Sequence, residues 1–317
     1  MRNISELLKI DYPVIQGGMA WVSNASLAAA VSMAGGLGVI AAGNAPADWV
    51  KEQIHLVREK TDKPFGLNVM LLSPFVKEIA QLVADEKVPV VITGAGNPAE
   101  YMKMWKEVGC IVAPVVPSRS LAILMERTGA DFLIAEGGEA GGHIGELTTM
   151  VLVPDIVRAV NIPVVAAGGI FDAETVAAAF CLGAVGVQVG TRFILAQECT
   201  AHDEYKRRVI KAKDIDSKVT GRITGHPVRL LRSPLVREMA RVEYEENAAQ
   251  KLEELGQGSL QKAVLLGDAE SGSFMAGQCA CMLDKIQTAK EIIEELFDQE
   301  RLESVCQNVC SRLKVKP

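Results

Sequence analysis

One histidine, His143, stands among five glycines in the stretch EGGEAGGHIG, Glu136 to Gly145. An imidazole that titrates near neutrality can donate a proton or polarise a carbonyl, and glycines on either side leave room for a substrate beside it. The alternative is a loop histidine bonded only to backbone. The other three histidines are less suggestive: His55 and His202 lie in charged helical contexts, and His226, in TGHPVR, belongs to a loop or to a substrate contact. A second set of residues suits a flat heteroaromatic ligand: Gln16, Asn44, Asn68 and Gln188, with Glu136, fall in or beside apolar runs. A buried amide needs partners, so each is either satisfied by backbone or reserved for a ligand's carbonyls and ring nitrogens. A third set suits an anion. Gly168-Gly169 in AAGGI and Gly190-Thr191 in VGTR can expose backbone N–H groups and a hydroxyl to a phosphate.

The elements that must position these groups are short, continuous apolar runs, each followed by a helix-like segment. They span 13–19, 37–43, 64–71, 88–96, 111–118, 131–137, 163–170 and 186–192. Continuous rather than alternating hydrophobicity is expected of strands buried on both faces. Asn24 or Ser26, Pro46, Pro98 and Asp172 mark helix starts, and Gly35, Gly109, Gly129 and Gly183 mark helix ends. Eight strand–helix repeats predict an α/β fold, a (β/α)8 barrel, with an open doubly wound sheet as the competitor. In such a barrel the strand C-termini carry the site and the loops after strands seven and eight bind phosphate; these are the two glycine turns. His143, beyond strand six, overhangs the same mouth. No G-x-G-x-x-G follows a strand, so a nicotinamide dinucleotide would visit this mouth rather than a separate module.

Residues 1–200 are thus expected to form the barrel. Residues 201–260, charged and without buried-strand runs, predict a small helical insertion, and 261–317 a segment returning to the mouth, followed by a terminal helix. The chain is 49% hydrophobic with a formal charge of −6, which fits a globular protein with a substantial core and argues against nucleic-acid binding. Its seven scattered cysteines lack metal-site spacing and fit reduced thiols, so no metal is expected. Glu6, Lys9 and Asp11 interrupt any signal-peptide core, and the uncharged stretch 12–47 is broken by Pro13 and paired glycines. A cytoplasmic protein without a membrane span is the expectation.

The motifs QGGMAWVS, AGGLGVIAAGNAP, PFGLNVMLLSPF, VVITGAGNP, AEGGEAGGHIGELTTM, PVVAAGGI, VQVGTRF and MAGQ run in this order along nearly the whole chain. The series resembles the FMN-dependent enoyl-acyl-carrier-protein reductases, within the nitronate monooxygenase-like flavoprotein superfamily. The resemblance implies FMN at the mouth of a TIM barrel, with its phosphate on the Gly168-Gly169 and Gly190-Thr191 turns. Its ring would lie near Met19, Ala20, Asn68 and Glu136, with Gly18, Asn44, Met70, Gly142 and Gln188 completing the cofactor contacts. His143 matches the active-site histidine, and Met275, Ala276, Gly277 and Gln278 would line the substrate end. NADH or NADPH as reductant, an enoyl group on acyl carrier protein as oxidant, stimulation by a monovalent cation and a homodimer are further implications. The rivals are a nitronate monooxygenase, an NAD(P)H:quinone reductase, and a non-catalytic flavin- or phosphate-binding barrel.

Overall fold

The computed structural model describes residues 3–314. Strands β1 (Val14–Gln16), β2 (Gly38–Ala41), β3 (Phe65–Met70), β4 (Val90–Gly94), β5 (Ile111–Val116), β6 (Leu133–Glu136), β8 (Val164–Ala167) and β9 (Gly186–Val189) form one parallel sheet. All eight fall within the runs expected from hydrophobicity. The sheet order β1-β9-β8-β6-β5-β4-β3-β2 leaves one seam, between β1 and β2. Leu37 closes it: its N–H donates to Val14 O (2.9 Å) and its carbonyl accepts from Gln16 N (2.9 Å). The result is a nearly closed (β/α)8 barrel, a TIM barrel.

Inward-facing Ile15, Val39, Ile92, Ala113, Ile134 and Val165 pack into one apolar core, and Ile4 and Leu8 of the first helix, Ile4–Leu8, join it as a plug. The plug depends on glycine, because a Cβ on Gly186 would come within 2.9 Å of Ile4 Cγ2. Outward-facing residues such as Val14, Leu133, Val164 and Val187 pack against the surrounding helices. Helix starts follow the expected chemistry. Asn24 Oδ1 accepts from Ser26 N (3.1 Å), and Asp172 forms a reciprocal capping box with Thr175.

The insertion differs from a purely helical one. It contains helices Asp203–Ile210, Pro234–Val242 and Ala248–Gly256, and also strands β10 (Ser217–Thr220) and β11 (Val228–Leu231) in an antiparallel hairpin. Strand β11 then pairs with β7 (Gly142–His143), placing Val228 opposite His143 and Arg229 opposite Gly142. The strands escape a search for apolar runs because β10 carries Ser217, Lys218 and Thr220 and is only partly buried, and Arg229 interrupts β11. The terminal amphipathic segment is likewise two helices, Ala289–Leu296 and Gln299–Arg312, divided where Asp298 caps the second by accepting from Arg301 N (2.9 Å). Among the described residues, no helix is long and apolar enough to cross a membrane.

Candidate active site

A single cavity of about 1310 Å³ lies over the C-terminal ends of the strands and extends beneath the insertion. The structure brings Gly18, Met19, Ala20, Asn44, Asn68, Met70, Glu136, Gly142, His143, Gly168, Gly169, Gln188, Gly190 and Thr191 to its wall, together with Met275 and Gly277. It does not bring Ala276 or Gln278. This segment is extended only as far as Gly277, so Met275 and Ala276 point to opposite sides, and a short 3-10 helix starts at Gln278: Ala276 is buried in the core against Gly141, and Gln278 faces solvent. Gln16 is also withdrawn from the ligand set. Its amide is fully buried, with Nε2 donating to Ser23 Oγ (2.7 Å) and Oε1 accepting from Val39 N (3.0 Å). It is a structural tie across the β1–β2 seam.

The remaining polar groups are poised for a ligand. Gln188 Oε1 is buried without any hydrogen-bond partner, a state that costs about 1–3 kcal/mol unless something donates to it. Burial pushes the Glu136 carboxyl up to about 7, so near neutrality it can switch between accepting and donating. Gly168 and Gly169 both hold positive φ (98° and 74°), a turn that non-glycine residues rarely adopt. A Cβ on Gly168 would also lie 2.8 Å from Gly137 O, so the turn packs backbone to backbone. An unpartnered acceptor, a carboxyl near its titration point and two exposed-backbone turns fit the ring and phosphate of FMN.

His143 is solvent-exposed within the cavity, yet its pKa is lowered from 6.5. The packed walls around it are the larger cause and the neighbouring charge of His226 the smaller. Neutral imidazole therefore dominates at pH 7. Its position is fixed by backbone: Ile144 N donates to Pro227 O (3.1 Å), continuing the β7–β11 ladder.

Two residues that sequence reasoning passed over hold the glycine loop in place. Arg229, buried, donates from Nε and Nη2 to Gly138 O (3.0 and 2.7 Å) and from Nη1 to Ser217 Oγ (2.9 Å). Glu139 accepts from Thr149 N (2.9 Å), at the start of helix Thr149–Val157, and Thr149 Oγ1 lies 2.9 Å from Gly168 O. Glu139 is visible in the quoted loop, but nothing in its spacing points to Thr149. The substrate-end segment is anchored as well. Thr191 Oγ1 accepts from Gly277 N (2.8 Å), and Tyr205 donates its hydroxyl to Met275 O (2.6 Å). Cys279, also on the wall, is pushed up to about 12 by burial and stays a thiol.

Barrel, mouth and glycine turns together define a flavin-dependent oxidoreductase. A family model described as nitronate monooxygenase matches residues 2–84 and 73–299, and the chain belongs to that family of flavin enzymes. The structure of FabK from Thermotoga maritima superposes with a TM-score of 0.94 at 48% identity, covering 98% of this chain and 99% of that one. A (3aS,4S,5R,7aS)-5-hydroxy-7a-methyl-1-oxo-octahydro-1H-indene-4-carboxyl-CoA dehydrogenase of Mycobacterium tuberculosis is 34% identical over 92% of this chain and 94% of its own. A probable nitronate monooxygenase of Staphylococcus saprophyticus is 32% identical over 94% and 97%.

Proposed function

We propose that the protein is an enoyl-acyl-carrier-protein reductase of fatty acid synthesis. The observation that carries this reading is the place of His143, a neutral imidazole held between the glycine turns at the barrel mouth and the part of the same cavity walled by Val228, Leu230, Met239 and Leu252. The motif series and the likeness to FabK support it. The chemistry supplied by FMN, when bound, is hydride transfer from NADH or NADPH to the β-carbon of a trans-2-enoyl thioester. Gln188 and Glu136 would meet the ring's polar edge, and the Gly168-Gly169 and Gly190-Thr191 turns would hold the phosphate. His143 donates its N–H to the thioester oxygen, where negative charge develops as the β-carbon is reduced, and a solvent proton then completes saturation at the α-carbon. The lowered pKa favours this role over that of an imidazolium acid, because little cation is present at pH 7. Met275 and Gly277, pinned by Tyr205 and Thr191, wall the far side of the reacting group.

The test compares NADH and NADPH oxidation by the flavin-loaded protein with an enoyl thioester of acyl carrier protein, an alkyl nitronate and a quinone as acceptors. Turnover that depends on the enoyl thioester is expected. Preference for the nitronate or the quinone would replace the assignment.

A further inference from the structure

The cavity, at about 1310 Å³, exceeds the roughly 300–1,000 Å³ usual for a single small-molecule site, and its wall continues from the barrel mouth onto insertion residues such as Val228, Met239 and Leu252. Resting on the enoyl reductase reading, we propose that this insertion-side lobe, walled by Val228, Leu230, Met239 and Leu252, binds the acyl tail of the thioester. We further propose that Gly256 at its outer end sets how long a tail is accepted.

The lobe is continuous with the mouth at His143, since Val228 is its ladder partner. Its walls are the insertion's own apolar core, in which Leu230, Met239 and Leu252 pack together with Val228 and Met275 against them. Its hydroxyls are already spent. Thr220 Oγ1 lies 3.7 Å from Met239 Sδ, Ser259 donates to Gly256 O (2.7 Å) and lies 3.0 Å from Ser273 Oγ, and Tyr205 donates to Met275 O. The imidazole on this wall, His226, lies beside His143 at the mouth end, so the stretch between Leu230 and Leu252 suits an apolar tail rather than a nicotinamide or a pantetheine arm, whose amides need partners. At the outer end Glu253, Gly256, Gly258 and Gln261 are exposed, so the lobe opens to solvent there. A Cβ on Gly256 or Gly258 meets nothing within 4 Å. Gly256 ends helix Ala248–Gly256 without a positive φ, so a larger side chain is tolerated by the backbone and would stand in the opening.

The experiment uses the flavin-loaded, full-length protein and coenzyme A thioesters of four and ten carbons. Enoyl forms are followed by kcat/KM, and saturated forms by calorimetric Kd. In the parent protein the ten-carbon thioesters are expected to be preferred, by up to about tenfold for each pair of methylenes buried. Gly256→Phe should lower kcat/KM and affinity for the ten-carbon compounds by about tenfold or more and leave the four-carbon ones within about twofold, while Gly256→Ala changes neither. Leu252→Phe, an independent narrowing of the same wall, should act in the same direction. Equal losses at both lengths would assign the lobe to the pantetheine arm or the nicotinamide and overturn the proposal, and so would no loss at either. If the parent protein reduces no enoyl thioester, the enoyl reductase reading fails. The Kd series still decides whether the lobe takes the tail.

Discussion

The two halves of the cavity solve opposite problems. On the barrel side polar atoms are left unspent: Gln188 Oε1 has no partner, and Glu136 is buried enough to titrate at about 7. On the insertion side Ser259, Thr220 and Tyr205 direct their polar atoms at protein partners and leave an apolar wall. A protein carries unpaired buried acceptors at a cost, so the barrel side is built to be completed by a ligand with its own donors. On the insertion side the hydroxyls of Ser259, Thr220 and Tyr205 are already directed at protein, and what Leu230, Met239 and Leu252 offer is apolar volume. His143 stands on the boundary, which is where the polar head of a substrate with an apolar tail would lie.

The largest expected effect is at that boundary. His143→Ala should retain FMN, read by flavin absorbance, yet lose about 10²–10⁴-fold in enoyl turnover. In the parent protein kcat/KM should not fall as pH rises past the imidazole's pKa, below 6.5, because the neutral form keeps the donating N–H. A rate that instead falls as pH rises through that region would make imidazolium the active form. Next comes the cradle. Gly169→Val places a β-branched residue at φ 74° and should weaken FMN binding by about a hundredfold in an apoprotein titration, without altering acyl-CoA affinity.

Gln188→Leu offers a sharper contrast, because two opposite signs are expected of one substitution. Removing an orphaned acceptor should stabilise the apoprotein by about 1 kcal/mol in urea unfolding, while FMN affinity drops by about tenfold. Glu136→Gln should act on apoprotein stability with a pH signature. Glu136 titrates at about 7 when folded against 4.5 ordinarily, so the native state's proton-linked advantage is full below 4.5 and is lost as pH climbs through about 7. The glutamine variant should therefore gain about 1–2 kcal/mol at pH 8 and little at pH 4. The smallest effect belongs to the completed half: Ser259→Ala should cost about 1 kcal/mol of stability and leave kcat/KM within about twofold. A large loss of turnover there would erase the difference between the halves.

Much of the barrel was legible because strands covered on both faces leave unbroken apolar runs, and its closing seam needed only Leu37 at the head of the second run. The glycine turns were legible for the same reason, as the segments that end those runs. Amide roles were not. Gln16 and Gln188 look alike in sequence, each a lone amide in an apolar run, and only the position of Ser23 and the Val39 amide shows that one is satisfied internally. Met275 to Gln278 were read as one unit, although extended backbone turns Ala276 away from Met275 and the 3-10 helix that begins at Gln278 carries its side chain to solvent. Arg229 was hidden because its partners lie far off in sequence: its guanidinium bonds a carbonyl some ninety residues away, at Gly138, and feels the neighbouring charge of Glu139.

The three-stranded sheet β10-β11-β7 has a consequence for anyone wishing to reuse this barrel as a scaffold. The histidine strand borrows its ladder partners from the insertion, and the carbonyl of Gly138 borrows its donor from Arg229. Swapping 201–260 for a relative's loop would transplant the support of the His143 loop along with the proposed acyl lobe. Specificity and reactivity are therefore inherited together, and chain-length variants are better sought by point changes within the lobe than by grafting whole insertions.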